Sequence, residues 1–408
     1  MPGRTGARHN HRMRVLDDLS LSTVTAGFVA VLVGFTSTIA IVFQAALAFG
    51  ATPAQISSWM WALGLGMGLC SLLPSWYLRK PVMVAWSTPG AAVLATAGIA
   101  GGFTMADAVG AFIVCAVLIT LFGVTGWFER IMNRIPMAIA SALLAGVLAR
   151  FGLQAFTAAQ TALPLVLLML GTYVVVKRLS PRYAVVMTLV AGVVLASLQG
   201  RLSLESIHLG FAVPVFTAPQ FGWSALVSLA LPLFVVTMAS QNLPGVAAIQ
   251  AAGYGGPQGI PISRAITLTG VATLVLAPFG AFALNLSAIT AAICMGREAH
   301  EDPARRYTAA MSCGAIYVGI GIFGATFTAL LSAFPKELVA AIAGLALLGT
   351  IGNALAVALQ HEPHREAAAI TFLVTLSGVV IAGVGSAFWG VVAGAVVIAV
   401  QQYRRRTP

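Results

Sequence analysis

Charge is what this chain has least of. Only 8% of its 408 residues are Asp, Glu, Lys or Arg, against about 25% in soluble globular proteins, so no ordinary water-facing shell can be built. Sustained period-two alternation is also missing, which excludes a transmembrane β-barrel. Cysteine is sparse: Cys70, Cys115, Cys294 and Cys313 stand apart in apolar segments, with no C-x-x-C pair. Neither a zinc site nor a disulfide framework is supported. HExxH, Walker and GxSxG motifs are all absent, so the chain is read as neither an enzyme nor an ATP-driven pump, with no cofactor and no metal.

What is present is apolar length. Hydrophobic residues make up 59% of the chain and mean hydropathy is +0.95. Repeated runs of about twenty such residues define an all-α polytopic membrane protein. Fourteen segments are expected, near 22–48, 56–76, 81–98, 106–127, 136–152, 160–176, 183–198, 224–247, 261–284, 285–296, 302–331, 336–351, 366–384 and 387–403. The net charge of +11 sits in short breaks between these runs, as orientation signals do, and no patch combines basic with aromatic residues; nucleic acid is therefore not a partner. With fourteen spans and a cytoplasmic N-terminus, all but Arg150, Arg201 and Lys336 of the 22 Lys and Arg fall inside. Both termini are then cytoplasmic, and the basic stretch 1–15, with no signal-peptide core after it, stays inside.

Two segments are too short to span. Asn285 to Gly296 offers about ten helical residues before Gly296-Arg297, roughly 15 Å, or half a hydrocarbon core. Its Asn and Ser read as helix N-caps. The stretch from Pro81 to Gly98 repeats the plan: a short β-branched strand to Trp86, then Ser87-Thr88-Pro89-Gly90, with Thr88 as N-cap and Pro89 at the first helical position. Phe122-Gly-Val-Thr125 followed by Ile135-Pro136 recurs about 200 residues later as Phe323-Gly-Ala-Thr326 followed by Phe334-Pro335. Two repeats of seven segments each must lie inverted in the membrane, with a substrate site at their interface near the midplane.

Ionisable groups are expected only in tails, loops and span ends, so the midplane holds no carboxylate, imidazole, Lys or Arg. Such a site suits an anion met by helix N-termini and neutral donors. Ser240-Gln241-Asn242 before Pro244 forms a polar knot in an apolar run, and Thr36, Ser37, Thr38 and Gln44 stand in the first span. Helix–helix packing explains the first-span group as readily as a site does, whereas the polar knot before Pro244 favours a site over packing. His361-Glu-Pro-His364 is read as a solvated turn.

The strings MASQNLPG (238–245), NLSAITAAICMGREAHEDPARR (285–306) and FERIMNRIP (128–136) resemble the benzoate/proton symporter family of the BenE type. That family is related in fold to uracil/proton symporters and sulfate-type anion transporters. The resemblance implies fourteen segments in two inverted seven-segment repeats, with short strand plus half-helix in segments 3 and 10. It implies a cytoplasmic tail (1–19), core parts (20–128 and 223–333), gate parts (129–199 and 334–408) and an external linker (200–222). It further implies proton-coupled benzoate uptake across a bacterial inner membrane and a homodimer through the gate domains. Where uracil-type relatives carry core glutamates, this chain has Gln241 and Ser287, which fits a carboxylate better than a nucleobase.

The expected substrate shell is Ser87, Thr88, Pro89 and Gly90 on one half-helix, Asn285, Ser287 and Ala288 on the other, Ser240, Gln241 and Asn242 between them, and Thr36 nearby. Trp86 and Phe43 are assigned to the ring. The proton rides either on the substrate or on a span-end acid, Glu298 or Asp107. A nucleobase or inorganic-anion permease, or a passive anion channel, is the alternative.

Overall fold

The computed structural model describes residue 15 and residues 17–128, 136–203, 209–297, 299–381 and 386–403. Its elements are α1 (Leu21–Ala48), α2 (Pro53–Leu78), β1 (Val84–Trp86), α3 (Thr88–Gly101), α4 (Met105–Thr125), α5 (Met137–Thr157), α6 (Ala159–Leu179) and α7 (Ala184–Leu198). They continue with α8 (Trp223–Gln250), α9 (Ile262–Leu276), β2 (Leu284–Leu286), α10 (Ile289–Met295), α11 (Tyr307–Ile322), α12 (Gly324–Ser332), α13 (Lys336–Ala358), α14 (Arg365–Ser377) and α15 (Ser386–Tyr403). Among the described residues, seven helices are long and apolar enough to cross a membrane, or nine if each of two bent pairs is one span.

Local chemistry sets several boundaries. Ser20 and Thr52 cap α1 and α2 through reciprocal capping boxes, and Pro53 opens α2. The Asp18 carboxylate, just before α1, accepts from the Arg79 guanidinium at 2.9 Å and from the Tyr307 hydroxyl at 2.8 Å. It thus ties the start of α1 to the end of α2 and the start of α11. The eleventh segment differs from expectation. Asp302 caps a single 3₁₀ turn, Pro303–Arg305, the α-helix starts at Tyr307, and the chain bends by 69° between α11 and α12. The ninth stops at Leu276 and a short 3₁₀ turn, leaving Leu284 in a strand.

α8 is one run with two π-helical turns, Leu226–Ala230 and Met238–Asn242, each followed by Leu-Pro. A proline cannot donate to the carbonyl four residues back and its ring crowds that carbonyl. The chain responds with five-residue closures, Leu231 N–H to Leu226 and Leu243 N–H to Met238. Such widened turns recur at functional sites.

β1 and β2 pair antiparallel with Ala85 opposite Asn285, extended by Ser87 N–H to Ala283 at 3.0 Å and Ser287 N–H to Met83 at 2.9 Å. This ladder satisfies backbone groups that have no helix to serve them. Gly280 makes the turn before it possible. Its φ is +103°, and any side-chain carbon there would run into the Trp59 ring. The helices interlock across the two halves of the chain: α11 packs on α2, α9 on α4, and α13 on α5.

The 200–222 linker is strapped down rather than free. Ala212 N–H donates to Ile322, Thr217 N–H to Pro278 and Gln220 N–H to Ala106. Val215 N–H donates to the Ser58 hydroxyl at 2.9 Å, and Phe211 stacks on Phe323. The described part of this strap crosses the ends of α2, α4, α9 and α11 on one face.

Candidate substrate site

The β1–α3 and β2–α10 junctions meet at one cavity of about 490 Å³. Trp86, Thr88 and Pro89 line it from the first junction, Ser287, Ala288 and Thr290 from the second. Ser240 and Gln241 enter from the second π turn of α8, and Pro244 from the turn just after it. Most of the remaining wall belongs to α5 and α13, including Ser141, Leu144, Leu148, Leu347, Thr350 and Asn353, with smaller contributions from α1, α2, α7 and α11. It reaches Met137 and Val185 at the starts of α5 and α7 and Val357 at the end of α13, so the cavity extends toward the face where those ends lie. No Asp, Glu, His, Lys or Arg among the described residues lines it.

Each half-helix is built differently. At α3 the cap is Ser87 rather than the expected Thr88, which is the first helical residue; the Ser87 hydroxyl accepts from Gly90 N–H at 3.1 Å and also from the Thr237 hydroxyl at 2.8 Å. That amide is therefore already used. At α10 the expected Asn or Ser cap is replaced by Ala288, which makes no side-chain cap bond, and the helix has seven residues. Ser287 instead accepts from the Thr290 hydroxyl at 2.6 Å. The far end of α10 is held by the buried Arg306, whose guanidinium donates to the carbonyls of Met295, His300 and Glu301 at 2.9, 2.7 and 3.2 Å. A cation there complements the C-terminal end of the helix dipole.

Of the residues expected at the site, Trp86, Thr88, Pro89, Ser240, Gln241, Ser287 and Ala288 meet at the cavity. The others lie elsewhere. Ser87 is a fully buried cap, and Gly90 gives Leu233 room to pack. Asn242 is fully buried, its carbonyl accepting from Leu286 N–H at 2.9 Å, so it holds β2 against α8. Asn285 is buried within the ladder, donating to Ala283 at 3.3 Å, with its side-chain oxygen unpartnered. Thr36 bonds back to Leu32 within α1. Phe43 is packed in the core away from the cavity, and Phe35 rather than Phe43 backs Trp86, with ring centroids 5.8 Å apart. Asp107 caps α4 at Thr104, near the strap and away from the cavity. Glu298 lies outside the described residues.

Three further residues complete the site. Thr38 accepts from the Trp86 indole N–H at 2.8 Å and donates to the Gly34 carbonyl at 2.8 Å, fixing the indole at the wall. Tyr317 lines the cavity although only 2% of it is exposed, its hydroxyl beside Gly34. Asn353 comes from α13. Thr38 belongs to the polar group already noted in the first span, but lies on another face of α1 from Thr36, the member expected in the shell. Tyr317 and Asn353 carry no local signal, because only the packing of α11 on α2 and of α13 on α5 brings them here.

A fold of broken spans, with two short strands crossing at an uncharged cavity, is that of SLC26-type and BicA-type anion transporters. The transmembrane domain of a cyanobacterial bicarbonate transporter, BicA, superposes with TM-score 0.54 at 14% identity, covering 93% of this chain and 97% of that one. SLC26A9 superposes with TM-score 0.60 at 12% identity, covering 98% and 70%. Residues 17–400 match the family described as benzoate membrane transport protein, BenE, and the chain belongs to that family of transporters. It is 47% identical over 374 residues to the inner membrane protein YdcO of Escherichia coli (strain K12), covering 92% of this chain and 94% of that protein. It is 40% identical over 377 residues to the benzoate membrane transport protein of Acinetobacter baylyi (strain ATCC 33305 / BD413 / ADP1), with the same coverage.

Proposed function

We propose that this protein is a secondary transporter that imports benzoate, or a closely related aromatic carboxylate, together with a proton by alternating access. The observation that carries this reading is the cavity itself. One volume of about 490 Å³ is walled by both strand–helix junctions, by the α8 π turn and by α5 and α13. Its wall is mainly apolar, with the Trp86 indole for a ring and Thr88, Gln241 and Tyr317 for a carboxyl group. In this reading α1–α4 and α8–α12 form a core domain, and α5–α7 and α13–α15 a gate domain. The two halves are inverted repeats in a fourteen-segment plan, with both termini cytoplasmic in a bacterial inner membrane. The local two-fold of the ladder, Val84 with Leu286 and Trp86 with Leu284, supports the repeat. So does the matched packing of α2 on α11 and α4 on α9. The cavity then opens to the cytoplasm, and the strap lies on the outer face of the core. A homodimer through the gate domains remains part of the proposal.

Thermal unfolding of the purified protein with benzoate, uracil or sulfate tests the substrate. Stabilisation by benzoate alone is expected; stabilisation by uracil or sulfate without benzoate refutes it. Counterflow tests the mechanism: benzoate inside proteoliposomes should accelerate entry of labelled benzoate, whereas a channel shows no acceleration.

A further inference from the structure

Resting on the benzoate reading, we propose that the proton crosses on the cargo, and that the Gln241 carboxamide recognises the neutral carboxylic acid. A primary carboxamide and a carboxylic acid are complementary at two points. The acid O–H donates to the amide oxygen, and the amide N–H donates to the acid carbonyl. A carboxylate has no proton to give, so it can pair with the amide only through N–H, and the amide oxygen is left without a donor. Gln241 is placed for such pairing. It lines the cavity from the π turn, and its carboxamide makes no hydrogen bond among the described residues.

The rest of the wall offers a carboxyl group neutral donors but no positive charge. Gly90 N–H, which would otherwise point outward from α3, is taken by Ser87, and the Thr290 hydroxyl is spent on Ser287. α10 has seven residues. No cationic side chain among the described residues lines the cavity. Lys177 of α6 reaches Gly349 on α13 but stays outside it. An unpaired carboxylate in mainly apolar surroundings bears a desolvation penalty large enough that such groups take up a proton instead.

The wall also lacks an alternative proton carrier. Among the described lining residues only the Tyr317 phenol, on α11, is titratable, and phenols titrate far above neutral. The thiols of Cys294 on α10 and Cys313 on α11 are buried and do not line the cavity. Asp107 is committed to the α4 cap. With a carboxyl pKa near 4, about one cargo molecule in a thousand is protonated at pH 7. Apparent affinity for total benzoate should therefore fall about tenfold per pH unit above that pKa.

Calorimetric binding to the wild-type protein tests this with three probes: benzoate, benzamide and benzenesulfonate. Benzamide is a neutral isostere able to pair with a carboxamide; benzenesulfonate stays anionic throughout. The expected result is that benzamide competes with benzoate, benzenesulfonate does not, and the benzoate Kd rises about tenfold per unit between pH 5 and 7. A benzoate Kd flat over that range, with benzenesulfonate competing and benzamide inert, overturns the proposal while leaving benzoate transport intact. Absence of benzoate binding at any pH overturns the substrate reading on which it rests.

Discussion

Asn242→Ala separates residues that touch the cargo from residues that hold the site in shape. In the folded protein the Asn242 side-chain oxygen accepts from Leu286 N–H at 2.9 Å, and both residues are fully buried. Removing the amide leaves a strand N–H without a partner where water does not reach, which costs about 1–3 kcal/mol. For a chain of this length about 2 kcal/mol corresponds to roughly 2–4 °C in melting temperature, scaling from the smaller domains for which the relation is known. Gly245 packs on the Leu286 backbone three residues further along α8, so β2 should loosen beside the cavity and benzoate affinity should fall as well. Thermal unfolding and benzoate titration of the same preparation read both effects. Full thermal stability together with lost binding would mean that Asn242 contacts the cargo directly, and would refute the assignment.

Gln241→Ala should do the reverse, weakening benzoate at least tenfold, about 1.4 kcal/mol, with the melting temperature nearly unchanged. Gly280→Ala adds a methyl against Trp59 at φ +103° and should destabilise by about 2–4 kcal/mol, seen as a lower melting temperature and reduced monodisperse yield. Arg306→Leu strips three carbonyls of their donor and should cost roughly 3 kcal/mol, with faster hydrogen exchange in α10. Trp86→Phe removes the indole N–H that Thr38 accepts and should weaken benzoate about threefold to tenfold while keeping an aromatic wall, measured by titration.

Much of the fold was legible because membrane physics leaves few options. Apolar runs marked the helices, and Thr88-Pro89 marked the start of α3 by cap chemistry and first-turn proline, although the cap itself is Ser87, one residue earlier. The polar knot before Pro244 fell on a π turn because proline disrupts the helix there. The tenth segment was misread in detail. Asn285 and Ser287 have cap chemistry, but pairing of Leu284–Leu286 with β1 claims that backbone and delays α10 to Ile289. Asn242 and Gln241 are adjacent and chemically alike, and only their different directions from the widened turn assign one to β2 and the other to the cavity. Phe43 and Phe35 posed the same difficulty along α1. The α5 and α13 wall, with Ser141, Thr350 and Asn353, reads in the sequence as ordinary helix surface. Its role comes from tertiary packing alone.

The account turns on neutral, proton-linked movement through an uncharged site. The most direct test is the initial rate of labelled benzoate entry into proteoliposomes, less the rate in protein-free vesicles, under a pH gradient alone or a voltage alone. One pH unit supplies about 1.4 kcal/mol per proton. The gradient, acid outside, should raise the protein-dependent rate, while voltage of either sign should leave it unchanged. A rate that follows voltage and ignores the pH gradient would contradict the account.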